Sequence, residues 1–178
     1  MILTEAQFRS GNPCQAGIDY AAARSFDFHS IYDGLEIPDW VLWLADAAGI
    51  VTKVLAVQQS VLYESTALAN LPPSRVELVD AAGLIDAAKT WLANQTARNA
   101  AACALAVTTQ GRNHVPGLGM FNCARIVNEP DPHRYWTWLD SSIETLVLCR
   151  DRTAYPDEKQ FRIRICNELR TTFPNPFT

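Results

Sequence analysis

Apolar residues along this chain recur mostly at spacings of three and four, the helical period, and few segments alternate as a half-buried strand would. Thr4 and Gln7 predict a capping box for a short first helix that Gly11 closes. Asn12 and Pro13 suit the N-cap and first position of a second helix running through Tyr20 to about Ala23. Ser25 to Gly34 has room for another short turn of helix. Pro38-Asp39 opens the clearest element, in which Trp40, Trp43, Leu44 and Ala47 follow the i, i+3, i+4, i+7 rule, Val41 and Ala48 widen the stripe, and Gly49 ends it. A long helix is expected from about Val51 to Ala69, with Val51, Val54, Leu55, Val61, Leu62 and Leu68 as its apolar stripe and Pro72-Pro73 as its stop.

Ser74-Arg75-Val76-Glu77 reads as a capping box before a helix carrying Val76, Val79, Gly83, Leu84, Ala87, Trp91 and Leu92. The polar stretch Asn94 to Arg98 breaks it, and the alanine-rich stretch Ala100 to Val107 favours helix again. Gly111, Pro116 and Gly117 make Gln110 to Leu118 a loop, and a short helix over about Met120–Val127 follows. Asn128 to Pro132 is a second loop, with Asp131 as N-cap and Pro132 at the first position of a helix marked by Tyr135, Trp136, Leu139, Ile143, Leu146 and Val147 to about Arg150. Tyr155-Pro156 starts the last helix, whose Asp157, Glu158 and Arg170 suit the helix dipole. Within it, Phe161-Arg162-Ile163-Arg164-Ile165 alternates like a strand. Phe161, Ile165 and Leu169 also fit a helix, the flanks are helical and no partner strand is evident, so helix is expected. The prediction is an all-α single domain over 1–178: an irregular orthogonal bundle or array of about seven to nine helices.

Composition narrows the class. With 178 residues, 48% hydrophobic and 19% charged, the chain can bury a core without metal or disulfide. The net charge of −4 counts against a sequence-blind nucleic-acid coat, which needs cations to displace counterions. No apolar run approaches the ~20 residues of a membrane span, and the first residues lack the basic and apolar regions of a signal peptide, so a cytoplasmic protein is expected. Cys14, Cys103, Cys123, Cys149 and Cys166 are odd in number with no CxxC, and read as reduced core cysteines.

Candidate chemistry is sparse. Leu44 to Leu55 resembles a helix-turn-helix pattern, an Ala four residues before a turn Gly and an apolar residue six after it, and its second helix would present Thr52, Lys53, Gln58 and Gln59 to a duplex. One lysine is little to hold phosphates, and a plain helical hairpin explains the segment as well. Gly117-Leu118-Gly119 lacks the Lys-Ser/Thr ending of a phosphate loop. Glu129, Asp131 and His133 alternate in a Pro-rich loop and read as a solvated turn before a metal site. Asp27, His29 and Asp33 fit a solvated helix face. His114 with Cys123 could pair a base with a nucleophile, but no orienting carboxylate is identifiable, and a buried inert thiol is the plainer reading. The late cluster of Arg150, Arg152, Lys159, Arg162, Arg164 and Arg170 is interleaved with acids, as on a salt-bridged helical surface.

Two stretches carry a resemblance. Cys14 followed by Asp39-Trp40-Val41-Leu42-Trp43-Leu44, and the tail Leu169-Arg170-Thr171-Thr172-Phe173-Pro174-Asn175-Pro176-Phe177, resemble a group of uncharacterised all-helical proteins of bacteria and their phages. That group pairs an early cysteine with a D-W-x-x-W-L-like helix and ends in an L-R-x-x-F-x-N-P-F-like tail. The resemblance spans roughly the first 50 residues and the last dozen. Pro13 before Cys14 and a more varied middle depart from it. It implies an all-helical fold and brings no activity. From the residues alone, Leu169 and Phe173 share a face, Pro174 and Pro176 hold the chain extended, and Phe177 can return to a pocket as a C-terminal latch; a peptide motif read by a partner is the alternative.

No catalytic constellation, metal set or cofactor motif stands out. The leading expectation is a non-enzymatic cytoplasmic module that binds another protein, for example an inhibitor of a defence system or a toxin-immunity-like protein, with Trp40, Trp43 and Phe177 as candidate contacts. The alternatives are a DNA-binding regulator using residues 44–60 and an enzyme with a site near His114 or His133.

Overall fold

The computed structural model describes residues 3–71, 78–110 and 122–177. Ten α-helices and one 3-10 turn account for all regular structure among the described residues: α1 (Glu5–Ser10), α2 (Gln15–Ala22), α3 (Phe28–Gly34), α4 (Pro38–Ala47), α5 (Lys53–Ala69), α6 (Leu78–Ala93), α7 (Ala97–Gln110), α8 (Cys123–Asn128), the turn η1 (Pro132–Arg134), α9 (Tyr135–Leu148) and α10 (Glu158–Thr172). Eight of the ten run seven residues or longer; α1 and α8 have six each. The all-helical expectation is met, including α10, where Phe161, Ile165, Cys166 and Leu169 are buried at helical spacing. The capping box expected at Ser74–Glu77, the Pro72-Pro73 stop and the Gly117-Leu118-Gly119 stretch lie outside the described residues.

The chain gathers into two compact units, residues 1–51 with 162–178 and residues 52–161. In the first, α1 opens on the expected capping box, with the Gln7 amide donating to Thr4 Oγ1 at 3.2 Å and the Thr4 amide to Gln7 Oε1 at 2.9 Å. Asn12 does not cap α2. Its φ of +55° places it in the left-handed region, which Asn tolerates, and its amide bonds Arg9 O as the chain leaves α1. Cys14 is the N-cap of α2 instead, without a side-chain bond. α4 ends as expected at Gly49, whose φ of +71° allows the Gly49 and Ile50 amides to return to Asp46 and Ala45 in a Schellman closure. Its buried face is Val41, Leu42, Leu44, Ala45 and Ala48.

In the second unit, α6 buries Ala81, Leu84, Ile85, Ala88 and Trp91, and α9 buries Leu139, Ser142, Ile143, Leu146 and Val147. Both pack on α5. The face α5 turns inward is not the one its largest apolar residues predict. Ala56, Val57, Gln59, Ser60, Tyr63, Glu64 and Ala67 are buried, whereas Leu62 is half exposed and Val54, Leu55, Val61 and Leu68 are only partly covered. Small side chains let neighbouring helices approach closely, and the polar groups among them find partners inside.

Candidate functional site

The interior of the second unit holds a charged group that the apolar pattern conceals. Glu64 is fully buried on α5, one turn beyond Ser60. Its Oε1 accepts from Ser142 Oγ of α9 at 2.6 Å, from Ser60 Oγ at 3.2 Å and from the Cys123 amide at 3.2 Å; its Oε2 lies 3.3 Å from the same amide. The Asn122 amide donates to Oε1 in a short bond. Ser60 and Ser142 also share a hydroxyl contact of 2.6 Å. Asn122 is the N-cap of α8 yet makes no side-chain cap bond, so the Glu64 carboxyl fills the cap's role from another helix.

Burial pushes the Glu64 carboxyl above the ordinary glutamate range, and the donors from Cys123, Ser142 and the Asn122 amide pull it only part of the way back. The Cys123 thiol is pushed well up, first by burial and then by the neighbouring carboxyl. Cys103, behind it on α7, is raised to about 11 by burial. A thiol held protonated is no nucleophile. A carboxyl group not identifiable from the sequence therefore does stand beside Cys123. His114, the other half of the pair considered from sequence, lies outside the described residues.

A second polar cluster sits where α8 gives way to α9. The Trp138 indole N–H donates to Glu129 Oε2 at 2.7 Å, and the guanidinium groups of Arg125 and Arg134 lie 5.6 Å and 5.2 Å from the Trp138 ring. Arg134 also approaches Glu129 at 3.7 Å. The Trp138 bond holds Glu129 below the usual carboxylate range. Glu129 is thus buried beneath Trp138, not solvated as the loop pattern suggests. Asp131 spends its side chain on the His133 amide at 3.0 Å, capping η1. Among the described residues, no group of three or more His, Cys, Asp and Glu side chains could hold a metal.

The residues singled out from sequence fall in different places. Trp40 is half-buried, edge-to-face on Tyr20 at 5.5 Å; Trp43 is half-buried on Phe8 at 5.4 Å and over Gly11. Phe177 is only 8% exposed, between Phe28 at 6.0 Å and Tyr32 at 5.8 Å. The tail is held by Asn175, which donates to His29 O at 3.0 Å and Asp33 Oδ1 at 2.9 Å, and by the Tyr32 hydroxyl donating to Phe173 O at 2.7 Å. Arg170 donates to Tyr32 O at 3.0 Å and to Leu35 O. Asp27 caps α3 through the Ser30 amide, while His29 and Asp33 pair at 3.7 Å on the exposed face.

Of the four residues that would face a duplex, Thr52 caps α5 through the Leu55 amide at 3.3 Å and Lys53 Nζ donates to Val127 O at 2.9 Å. Gln59 is 8% exposed and reaches the Tyr63 hydroxyl, whereas Gln58 faces solvent. Gln59 lies on the same buried face of α5 as Ser60 and Glu64. What the pattern did not reveal, Glu64 with Ser60 and Ser142, carries one weak signal: small and polar residues spaced by three and four along α5, namely Ala56, Ser60, Glu64 and Ala67.

The outward face of α7 has a different character. Ala97, Arg98, Ala101, Ala102, Leu105, Thr108 and Thr109 are exposed, Leu105 by 64%, and Arg98 is the only charged residue in the helix. The Thr108 and Thr109 hydroxyls both turn back onto Leu105 O, at 2.9 Å and 2.8 Å, so they are satisfied within the helix. Among the described residues no helix is long and apolar enough to cross a membrane. Compared with protein-family models, curated proteins and solved structures, the chain matches none of them.

Proposed function

We propose that this chain is a cytoplasmic protein-binding module of a bacterium or phage, with no catalytic step of its own, docking on another protein through the outward face of α7. The observation that carries the reading is that face: a four-turn helix with one charged residue, an exposed Leu105 and threonine hydroxyls already bonded. Interface centres are depleted in charge, and a solvated surface helix ordinarily carries more of it. The buried, protonated thiols and the sealed Glu64 carboxyl support the same reading, because these are groups of a scaffold. The likeness of the tryptophan helix and the tail to uncharacterised bacterial and phage proteins supports the origin. An inhibitor of a defence system or a toxin-immunity-like protein is the form such a module takes.

The test compares wild type with the double variant Ala101→Glu, Leu105→Glu, whose substituted positions are exposed. Tagged proteins are used to capture partners from lysate, with and without nuclease, and their own mass is measured by light scattering. The expected result is one protein retained near equal amount by wild type, nuclease or not, and lost by the variant. Equal retention by both proteins removes α7 as the docking face. Capture that vanishes with nuclease transfers the function to nucleic acid.

A further inference from the structure

One helix holds another at both ends through two polar side chains. α8 is six residues long, too short to persist without tertiary support. At its N-terminus the Asn122 and Cys123 amides point at the Glu64 carboxyl; at its C-terminal end Val127 O accepts from Lys53 Nζ at 2.9 Å. Glu64 and Lys53 both belong to α5, about three turns apart. The carboxyl therefore accepts from the amides that open α8, and the ammonium donates to a carbonyl that closes it.

The two ends of this clamp are not equivalent. Lys53 is partly exposed and has Glu129 and the Tyr135 ring near it. Glu64 is sealed. The groups that face it are the Ser60 hydroxyl from α5, the Ser142 hydroxyl from α9 and the Cys123 thiol and amides from α8, with the Cys103 thiol of α7 behind. α6, which packs on α5 and α8, buries Ala81, Leu84, Ile85, Ala88 and Trp91, none of them titratable. Among the described residues no cation reaches the carboxyl, so its charge is offset only by dipoles.

We propose that Glu64 makes the seating of α8 proton-sensitive: α8 stays docked while Glu64 holds its proton and loosens from α5 and α9 as that proton is lost. Burial without a cation favours the neutral carboxyl in the docked state, whereas an undocked Glu64 in water titrates in the ordinary glutamate range. The docked group thus has the higher affinity for the proton, in line with its raised titration. Opening releases a proton between the two values. The docking contribution is complete below the ordinary glutamate range and is lost as pH rises through the docked value.

Amide hydrogen exchange of residues 123–128, corrected for the intrinsic rate and referred to α6 amides of the same unit, reads the opening directly. In wild type the relative opening is expected to rise with pH, by at most about tenfold per unit, the limit for one proton released. Glu64→Gln should give a flat profile. Ser142→Ala, which removes a donor to the carboxylate, should keep the slope and move its window to higher pH. Lys53→Met should lower protection at every pH without changing the slope. A wild-type profile that is flat, a slope that survives Glu64→Gln, or a window unmoved by Ser142→Ala each overturns the proposal.

Discussion

Five thiols in this chain occupy two kinds of surroundings. Cys103, Cys123, Cys149 and Cys166 are buried, and Cys14 is exposed at the N-cap of α2. Burial holds Cys103 at about 11 and Cys166 at about 12, and burial with the Glu64 carboxyl pushes Cys123 well above the ordinary thiol range. Reactivity follows the thiolate and its access to solvent. A thiol reagent at pH 8 should therefore modify one cysteine per native chain, none after Cys14→Ser, and five after unfolding. Two or more modified in the native wild type would show that the interior opens on the time scale of the assay. The expectation of core cysteines holds for the four that stand among apolar neighbours and fails at Cys14, which is exposed. What was not legible is that Cys123 has a carboxyl partner, since Glu64 comes from a helix 59 positions earlier.

Elements separate into those whose signals are local and those set by packing. The Thr4–Gln7 box and the Gly49 ending are local, and each forms where the residues indicate; Asp131 and Pro132 open the 3-10 turn η1 rather than the long helix itself, which starts at Tyr135 with Arg134 as its N-cap. Asn12 shows the limit of such signals: the same residue suits an N-cap or a left-handed closure, and the chain uses it for the second. α5 shows the larger limit. Periodicity finds the helix and its length, but the buried face is chosen by which side chains allow neighbours close, so Leu62 is left half exposed while Ser60 and Glu64 go inside. Two glycines test the distinction between conformation and space. A Cβ at Gly49 meets nothing within 4 Å, but φ is +71°, whereas at Gly11 φ is ordinary and a Cβ would lie 3.0 Å from Trp43 Cζ2. Gly49→Ala should cost about 1–2 kcal/mol, the left-handed penalty for a residue with a Cβ, and Gly49→Asn visibly less. Thermal unfolding of the two variants reads the difference; equal losses would mean that the backbone angle is not what Gly49 supplies.

At the scale of the whole molecule, the chain returns to its beginning: the first unit is built from residues 1–51 and 162–178. Its closure is the tail, where Phe177 enters between Phe28 and Tyr32 and Asn175 spans His29 O and Asp33. This latch was legible from Leu169, Phe173 and the two prolines; its seat on α3 was not, because α3 is short and polar in part. Phe177→Ala removes a buried ring, and the loss should approach about 3 kcal/mol, the lower end for such truncations. Asn175→Asp tests the polar half. It replaces the donor to Asp33 Oδ1 with a second carboxyl, so two acids meet where a hydrogen bond of 2.9 Å stood. The sign of its pH dependence follows. Two ionised carboxylates repel, and protonation of either restores a donor between them. Relative to wild type, Asn175→Asp should therefore unfold at a clearly lower temperature at pH 7 and recover most of the difference at pH 3.5. A gap that stays constant with pH would mean that the Asn175 amide contributes by shape alone, and no gap at either pH would leave the latch to Phe177 and the Tyr32–Phe173 bond.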